Sequence, residues 1–362
     1  MSGPPRILHV DTGRELRGGQ RQLALLAAGL DAAGCEQAVA LPPGSPLAAR
    51  LPSSPRLRVI ELPLRGEWSL AAVRGLRAAL KGGLDLVHAH TAHAVTPGHW
   101  ARRGLGAPLV AHRRVDFPLR RHPLARLKRR WPDLWIAVSQ GARARLLLDG
   151  VPDARITVVP SALDPAQLAA PVAGPDPREE LDIPAGALLV GTVGNLAPHK
   201  GHAVLLEALA ALDRPDARLL VAGDGPLRGE LARRAGELGL AGRVHWLGHR
   251  DDPGRLLRAL DLFIFPSLSG EGSPAALKEA LALGVPVLAS DLPAHREIGL
   301  EAADLAPAGD APALAAAVAA RLSDLPAARR RAADLRALAD RFSPARLVED
   351  TLAAYARLAP AR

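Results

Sequence analysis

The second half of the chain alternates between short unbroken apolar runs and longer stretches with apolar residues at helical spacing. ALLVGTV (187–193) is one such run; the loop 194–201 follows, then the periodic HAVLLEAL. ARLLVAG, a Gly-Asp-Gly-Pro turn and LRGELARRAGEL repeat the cycle, and RVHWLGHRDDPGRLLRAL, DLFIFPSLS and VPVLAS carry it to Ser290 and Asp291. Short apolar runs bounded by Gly and Pro predict buried strands, and the periodic stretches predict helices. Their alternation predicts right-handed βαβ units in a parallel sheet, whose ligands sit beyond the carboxyl ends of the strands. The first half opens the same way: RILHV predicts a strand, a loop carries Gly18 and Gly19, and a helix follows. The fold class read from this pattern is α/β.

Residues 271–279, EGSPAALKE, carry the densest chemistry. Ser273 is placed as a helix N-cap and Pro274 at the first helical position, with the stop at Gly284 and Pro286. Glu271 then lies on the loop before the helix, and Glu279 in its second turn, placed to reach the far end of one ligand. The free N–H groups at 272–275 stand at the positive end of the helix dipole, which suits a phosphate. A capped helix with two ordinary surface glutamates is the competing reading.

Length adds a division. A chain of 362 residues suits two domains, each with its own core. The Pro- and Ala-rich stretch 164–186 is the expected linker, dividing 1–165 from 166–342. The single Cys35 excludes an internal disulfide and fits a reducing compartment. No signal peptide is expected at MSGPPRILHV, and no run of apolar residues is long enough for a membrane span. The expected location is the cytoplasm, with peripheral contact at the inner face of the plasma membrane as an open option.

GNLAPHKG, AGDGP and EGSPAALKE, in this order and spacing, resemble the retaining glycosyltransferases of family 4, which have the GT-B fold of two Rossmann-like domains facing across a cleft. The resemblance covers nearly the whole chain: DLVHAHTAHA, DLWIAVSQGARARL and ITVVPSALDP look like further landmarks. RFSPARLVEDTLAAYARL resembles the last helix of the family, so 343–362 is expected to pack back on the first domain. The resemblance implies transfer of a sugar from a nucleotide sugar to a hydroxyl of a saccharide or lipid-linked acceptor, as in bacterial cell-surface glycan or lipopolysaccharide synthesis. It makes 1–165 the acceptor domain and 166–342 the donor domain. Gly18 and Gly19 match the loop that approaches the donor pyrophosphate, where no Cβ blocks the way. Lys200 matches the cation that balances the leaving diphosphate, Glu271 the carboxylate that holds the donor sugar, and Glu279 the one that holds the ribose. Gly194, Asn195, Gly201, Gly225, His249, Gly272, Ser273 and Pro274 complete the implied donor site.

The chain also departs from the family. Asn195 stands where an arginine usually makes a second phosphate contact, and 161–164 reads Ser-Ala-Leu-Asp where Asn-Gly-(Ile/Val)-Asp is usual. The histidine often found near the reacting carbon aligns with Arg114, leaving His112 as a catalytic candidate or a buried, positioning histidine. His90, His93, Arg113, Arg114 and Asp116 are the acceptor-side candidates.

Charge and composition sharpen these readings. Of 46 basic residues only Lys81, Lys128, Lys200 and Lys278 are lysines, so a lysine in the phosphate loop argues for a compact ammonium there. The net charge of +9 is concentrated in 112–131, which carries eight Arg or Lys against Asp116, with Leu119, Leu124, Leu127 and Trp131 interleaved. This stretch could lie on an anionic bilayer with Trp131 and the leucines inserted, hold a phosphorylated acceptor, or be a solvated face. His88, His90 and His93, with His99 nearby, have metal-like spacing but no Cys or acidic ligand beside them, so no metal is expected. No convincing Asp-x-Asp follows an apolar strand, so no cofactor and no bridging Mg²⁺ are expected. Aromatic residues are few and scattered, which argues against nucleic acid. Gly223-Asp224-Gly225 lacks the third glycine of a dinucleotide fingerprint, because position 228 is Arg. A sugar-nucleotide epimerase and a non-catalytic homologue remain as alternatives.

Overall fold

A computed structural model of the chain describes residues 4–64, 66–114, 127–164, 168 and 175–358. The chain divides into two compact units, Met1–Ala162 with Ser343–Arg362, and Leu163–Phe342.

Unit 1 holds a seven-stranded sheet in the order β3-β2-β1-β4-β5-β6-β7. The strands are β1 (Ile7–Val10), β2 (Gln37–Leu41), β3 (Leu57–Glu61), β4 (Leu86–Ala89), β5 (Leu109–Arg113), β6 (Leu134–Ala137) and β7 (Ile156–Val158). All pair in parallel. The central ones are apolar runs buried on both faces, as a sheet sandwiched by helices demands. One face is covered by α2 (Leu70–Lys81), α3 (Val95–Arg102) and α4 (Gln140–Leu148), through Leu76, Leu80, Val95 and Leu146. The other is covered by α1 (Gly18–Ala32) and by a helix from the C-terminus, through Leu26, Leu30, Leu347 and Tyr355.

Unit 2 holds a six-stranded parallel sheet, in the order β10-β9-β8-β11-β12-β13. A short helix, α5 (Pro177–Glu180), precedes β8 (Leu188–Val193); then come α6 (His202–Ala211), β9 (Ala217–Ala222), α7 (Arg228–Glu237) and β10 (Val244–Gly248). The series continues through α8 (Pro253–Ala259), β11 (Leu262–Phe265), α9 (Ala275–Ala282), β12 (Val287–Ser290), α10 (Pro293–Ile298) and β13 (Leu305–Ala306). It closes with α11 (Ala311–Ser323) and α12 (Leu325–Leu335), after which α13 (Pro344–Ala356) belongs to unit 1. In both sheets the strand order reverses beside the first strand of the unit, so the crevice loops fall at the carboxyl ends of the strands flanking that point. Among the described residues no helix is long and apolar enough to cross a membrane.

Two expectations about local structure are corrected. Ser273 does not cap α9: the helix begins at Ala275 behind Pro274, and the Ser273 hydroxyl accepts from Lys278 Nζ at 3.0 Å. The buried Lys278 amine donates to this hydroxyl, so Ser273 is drawn away from the amides of the first turn. Gly18 and Gly19 are not loop residues but the first two of α1, behind Arg17, whose backbone N–H donates to Gln20 Oε1 at 3.3 Å.

Candidate active site

The donor-side candidates of unit 2 converge at the carboxyl ends of β8, β9 and β11. Gly194 and Asn195 leave β8, and Gly223 and Gly225 leave β9 directly alongside. A Cβ on Gly223, whose φ is 141°, would stand 1.8 Å from the Gly194 carbonyl oxygen. A Cβ on Gly225 would meet Asn195 Oδ1 at 2.5 Å. Two backbones run in contact there, which only glycine permits. Asn195 is thus a wall of the β9 turn, its side chain lying against Gly225 where the family usually carries an arginine.

Beyond Asn195 a single 3₁₀ turn delivers Lys200. It ends at Gly201, with φ 68°, where a Cβ would lie 1.9 Å from the Pro266 carbonyl oxygen. The loop is pinned from the other side by the Leu268 amide, which donates to the His199 carbonyl at 2.7 Å. This packing brings Lys200 Nζ to 2.6 Å from Glu271 Oε1, although the two are far apart in sequence. The ammonium also sits over the Phe265 ring at 5.1 Å, and the Ser267 hydroxyl donates to the same Glu271 oxygen. Lys200 retains 19% exposure while Glu271 retains 6%, so the carboxylate is fixed and the ammonium faces outward. A partly exposed cation held by a buried carboxylate can be passed to an incoming anion with little reorganisation.

Around this pair stand residues that sequence reasoning missed. His295 on α10 is fully buried, with Nδ1 2.6 Å from the Ser290 carbonyl and its ring edge-on to Phe265. Nδ1–H therefore donates, and Nε2 is left with no partner. Burial lowers the His295 pKa; Glu271 acts to raise it and Lys200 to lower it, which marks the ring as a neighbour of both. His202, at the start of α6, is held down to about 4 by burial, with help from Lys200 and His199. Neither histidine lies in a motif, and only the fold places them here.

Glu279 is buried on α9, and Gly272, Ser273 and Pro274 form the turn that leads into that helix. His249 follows Gly248, whose carbonyl accepts from the Gly223 amide at 2.7 Å, so it borders the β9 turn. Its side chain is exposed and lies 3.5 Å from Asp251.

Unit 1 assembles a second polar centre. Gly19 has room for a Cβ only at 3.4 Å from Arg114 Cδ, so the start of α1 and the end of β5 face each other. Arg114 Nη2 lies 3.4 Å from His90 Nδ1, and burial brings the guanidinium down to about 10, with Asp11 opposing that shift. Asp11 accepts from the Gly13 amide and from Gln20. Arg113 is buried, and His112 is stacked on His88 at 5.5 Å. Burial keeps His88, His90 and His112 well below the ordinary histidine pKa, so all three are neutral near pH 7. His93 is not part of this group: it is exposed and lies 2.9 Å from Glu67, which also receives Thr96 and Lys128. Its place is taken by His9, on β1 opposite His88 in register, which the sequence reading did not single out.

Asp116 and most of 112–131 lie outside the described residues. At the described end Trp131 stacks on His99 at 4.4 Å and is half-buried against the core of unit 1.

Comparison with known proteins completes the picture. Residues 16–167 match the family described as "Glycosyltransferase Family 4", and residues 187–324 the one described as "Glycosyl transferases group 1". A phosphatidyl-myo-inositol mannosyltransferase of Mycobacterium leprae is 31% identical over 272 residues, 70% of each chain. The chain belongs to glycosyltransferase family 4. The UDP-Gal:alpha-D-GlcNAc-diphosphoundecaprenol alpha-1,3-galactosyltransferase of Escherichia coli is 27% identical across 58% of each chain. Among solved structures, Anabaena HepE in complex with UDP aligns with a TM-score of 0.83 at 23% identity, covering 97% of this chain and 99% of that one. A glycosyltransferase of Rickettsia africae gives 0.84 at 19% identity over the whole of both chains. The family 4 enzyme therefore has the GT-B fold, and it is a glycosyltransferase.

Proposed function

We propose that this glycosyltransferase takes a nucleotide-diphosphate sugar as donor and transfers the sugar, with retention of configuration, to a hydroxyl of a saccharide or lipid-linked acceptor in cell-surface glycan synthesis. The observation that carries the donor reading is the Lys200–Glu271 pair, ringed by the glycine turns at 194, 201, 223 and 225. A nucleotide sugar already contains its leaving group, so the main requirement is to stabilise charge as the bond to phosphate breaks. In this reading Lys200 turns from Glu271 to the departing diphosphate, and the first-turn amides of α9 share the charge. Glu271, held by Ser267, orients the sugar hydroxyls, and Glu279 binds the ribose. The acceptor hydroxyl attacks from the face the diphosphate leaves. The ammonium and amides supply the charge a bridging metal would otherwise supply, so transfer is proposed to be independent of added divalent cation. Relatives named for work on lipopolysaccharide core, a phosphatidylinositol and an undecaprenol diphosphate support an envelope acceptor. Exposed Leu127 and Arg130, at the described end of the basic stretch, support a further proposal of contact with anionic lipid at the cytoplasmic face of the membrane.

A thermal-shift panel of nucleotide sugars, followed by transfer assays on the ligands that stabilise, tests this. A correct ligand at 100 times its dissociation constant stabilises by about 2.7 kcal/mol. Lys200→Ala is expected to lower the transfer rate about 10²–10³-fold, and Glu271→Ala to abolish it with the fold intact. Undiminished turnover in both variants, or inversion of the anomeric centre in the product, would overturn the reading. Cosedimentation with anionic against neutral vesicles tests the membrane contact.

A further inference from the structure

The polar centre of unit 1 contains more than acceptor-side candidates. Strand register places His9 opposite His88 on β1 and β4, and the next row of the same face brings His90, just beyond β4, beside His112 on β5. The four imidazoles form one patch on the sheet face that α13 covers. His9, His88 and His90 each offer one ring nitrogen, and the three atoms lie within 4.8 Å of one another. The rings of His88 and His90 are 3.9 Å apart, and those of His9 and His90 5.1 Å.

The far nitrogens of His88 and His9 are already held. His88 Nδ1 is 2.7 Å from the Tyr355 hydroxyl of α13. His9 Nε2 is 3.2 Å from Gln37 Oε1, and Gln37 is itself fixed because its amide donates to the Ala27 carbonyl at 2.9 Å. That fixed orientation makes Gln37 Oε1 the acceptor, so His9 carries its proton on Nε2 and presents a bare Nδ1. His90 Nε2–H then donates into Nδ1 across 2.9 Å. His88 Nε2 is buried with no partner, and so is His112 Nδ1 at the edge of the group. An outer hydrogen bond on the far nitrogen and an inward lone pair on the near one is the arrangement found around imidazole-bound metals.

We propose that His9 Nδ1, His88 Nε2 and His90 Nε2 form a binding site for a borderline transition-metal dication of the Zn²⁺ class, which fastens α13 to the sheet of unit 1. Burial keeps the rings neutral, the form that binds metal. Metal entry displaces the single proton of the His9–His90 bridge, and His90 takes its proton on Nδ1 instead, releasing its 3.4 Å contact with Arg114. The nearby guanidinium opposes any cation, so the site selects metals with strong affinity for imidazole over Mg²⁺ or Ca²⁺. A water completes a tetrahedral set. The cluster belongs to unit 1, whereas the Lys200–Glu271 pair belongs to unit 2.

Full-length chain without an affinity tag, stripped by chelator, is titrated with Co²⁺ and its visible absorption followed, with Zn²⁺ as competitor. One Co²⁺ per chain is expected, with the intense bands of a four-coordinate nitrogen site that Zn²⁺ abolishes. His88→Gln and His9→Gln should each weaken binding at least tenfold, whereas His199→Gln in unit 2 should not. Ring-nitrogen NMR of the unmodified protein gives the same answer without any variant: Zn²⁺ should shift three of the 12 histidines, those of this cluster. Substoichiometric Co²⁺, octahedral spectra, affinity unchanged in both folded variants, or shifts confined to other histidines would overturn the proposal.

Discussion

Lys278 is 1% exposed, lies over the Phe342 ring at 4.6 Å and donates to Ser273. Burial lowers its pKa from 10.5 to about 7, with Glu279 opposing the shift. The unfolded chain therefore binds the proton more tightly than the folded one between about 7 and 10.5, so this lysine makes stability rise with pH across that window. At and below neutrality it is a net cost. Lys278→Met is expected to raise the stability of unit 2 at pH 7 by about 1–4 kcal/mol, with the gain shrinking toward pH 10. Denaturant melts of both proteins at several pH values check this, and a gain that grew with pH would contradict it. The same variant frees Ser273 from its ammonium, so a rise in the donor KM accompanying higher stability would link the buried charge to the donor loop.

The turns of unit 2 respond differently, because there space rather than charge is limiting. Gly223→Ala places a methyl group against the Gly194 carbonyl at a φ that L side chains avoid, so it should cost more than about 2 kcal/mol. Gly229→Ala, on α7 with open space around it, should be neutral or slightly stabilising. Thermal melts of the two variants make the comparison, and equal effects would rule out the close backbone contact. These turns were legible in the sequence because their signals are local: an apolar run, a glycine, a polar loop, a periodic helix. Lys200 and Glu271 were legible for the same reason, as residues of motifs whose order survives. The start of α9 was misread because Ser273 answers to Lys278, whose burial depends on Phe342 far along the chain. His9, His202 and His295 were missed because register and loop packing, rather than spacing, bring them to their sites. His93 was overvalued through its spacing alone, which says nothing about Glu67 drawing it to the surface.

Each unit has its own sheet and core, but unit 1 is completed by a segment that follows unit 2 in the chain. On α13, Leu347, Val348 and Tyr355 are almost fully buried, and Gly29 of α1 has no room for a Cβ because Val348 Cγ2 would lie 2.3 Å from it. Burying Leu347 and Val348 alone stabilises unit 1 by roughly 3–6 kcal/mol, a large part of the about 5–15 kcal/mol that separates a folded domain from its unfolded chain. A chain ending at Phe342 should therefore lose the cooperative melt of unit 1 and keep that of unit 2, whose core draws nothing from α13. Residues 163–342 expressed alone should fold, bind a nucleoside diphosphate through Lys200, and transfer nothing if unit 1 binds the acceptor as proposed. Calorimetry resolves the two transitions, and titration of the isolated unit with the nucleotide reads out binding. If the fragment failed to bind while folded, and the full chain bound, the reading of the Lys200–Glu271 pair as a donor site complete within unit 2 would fall.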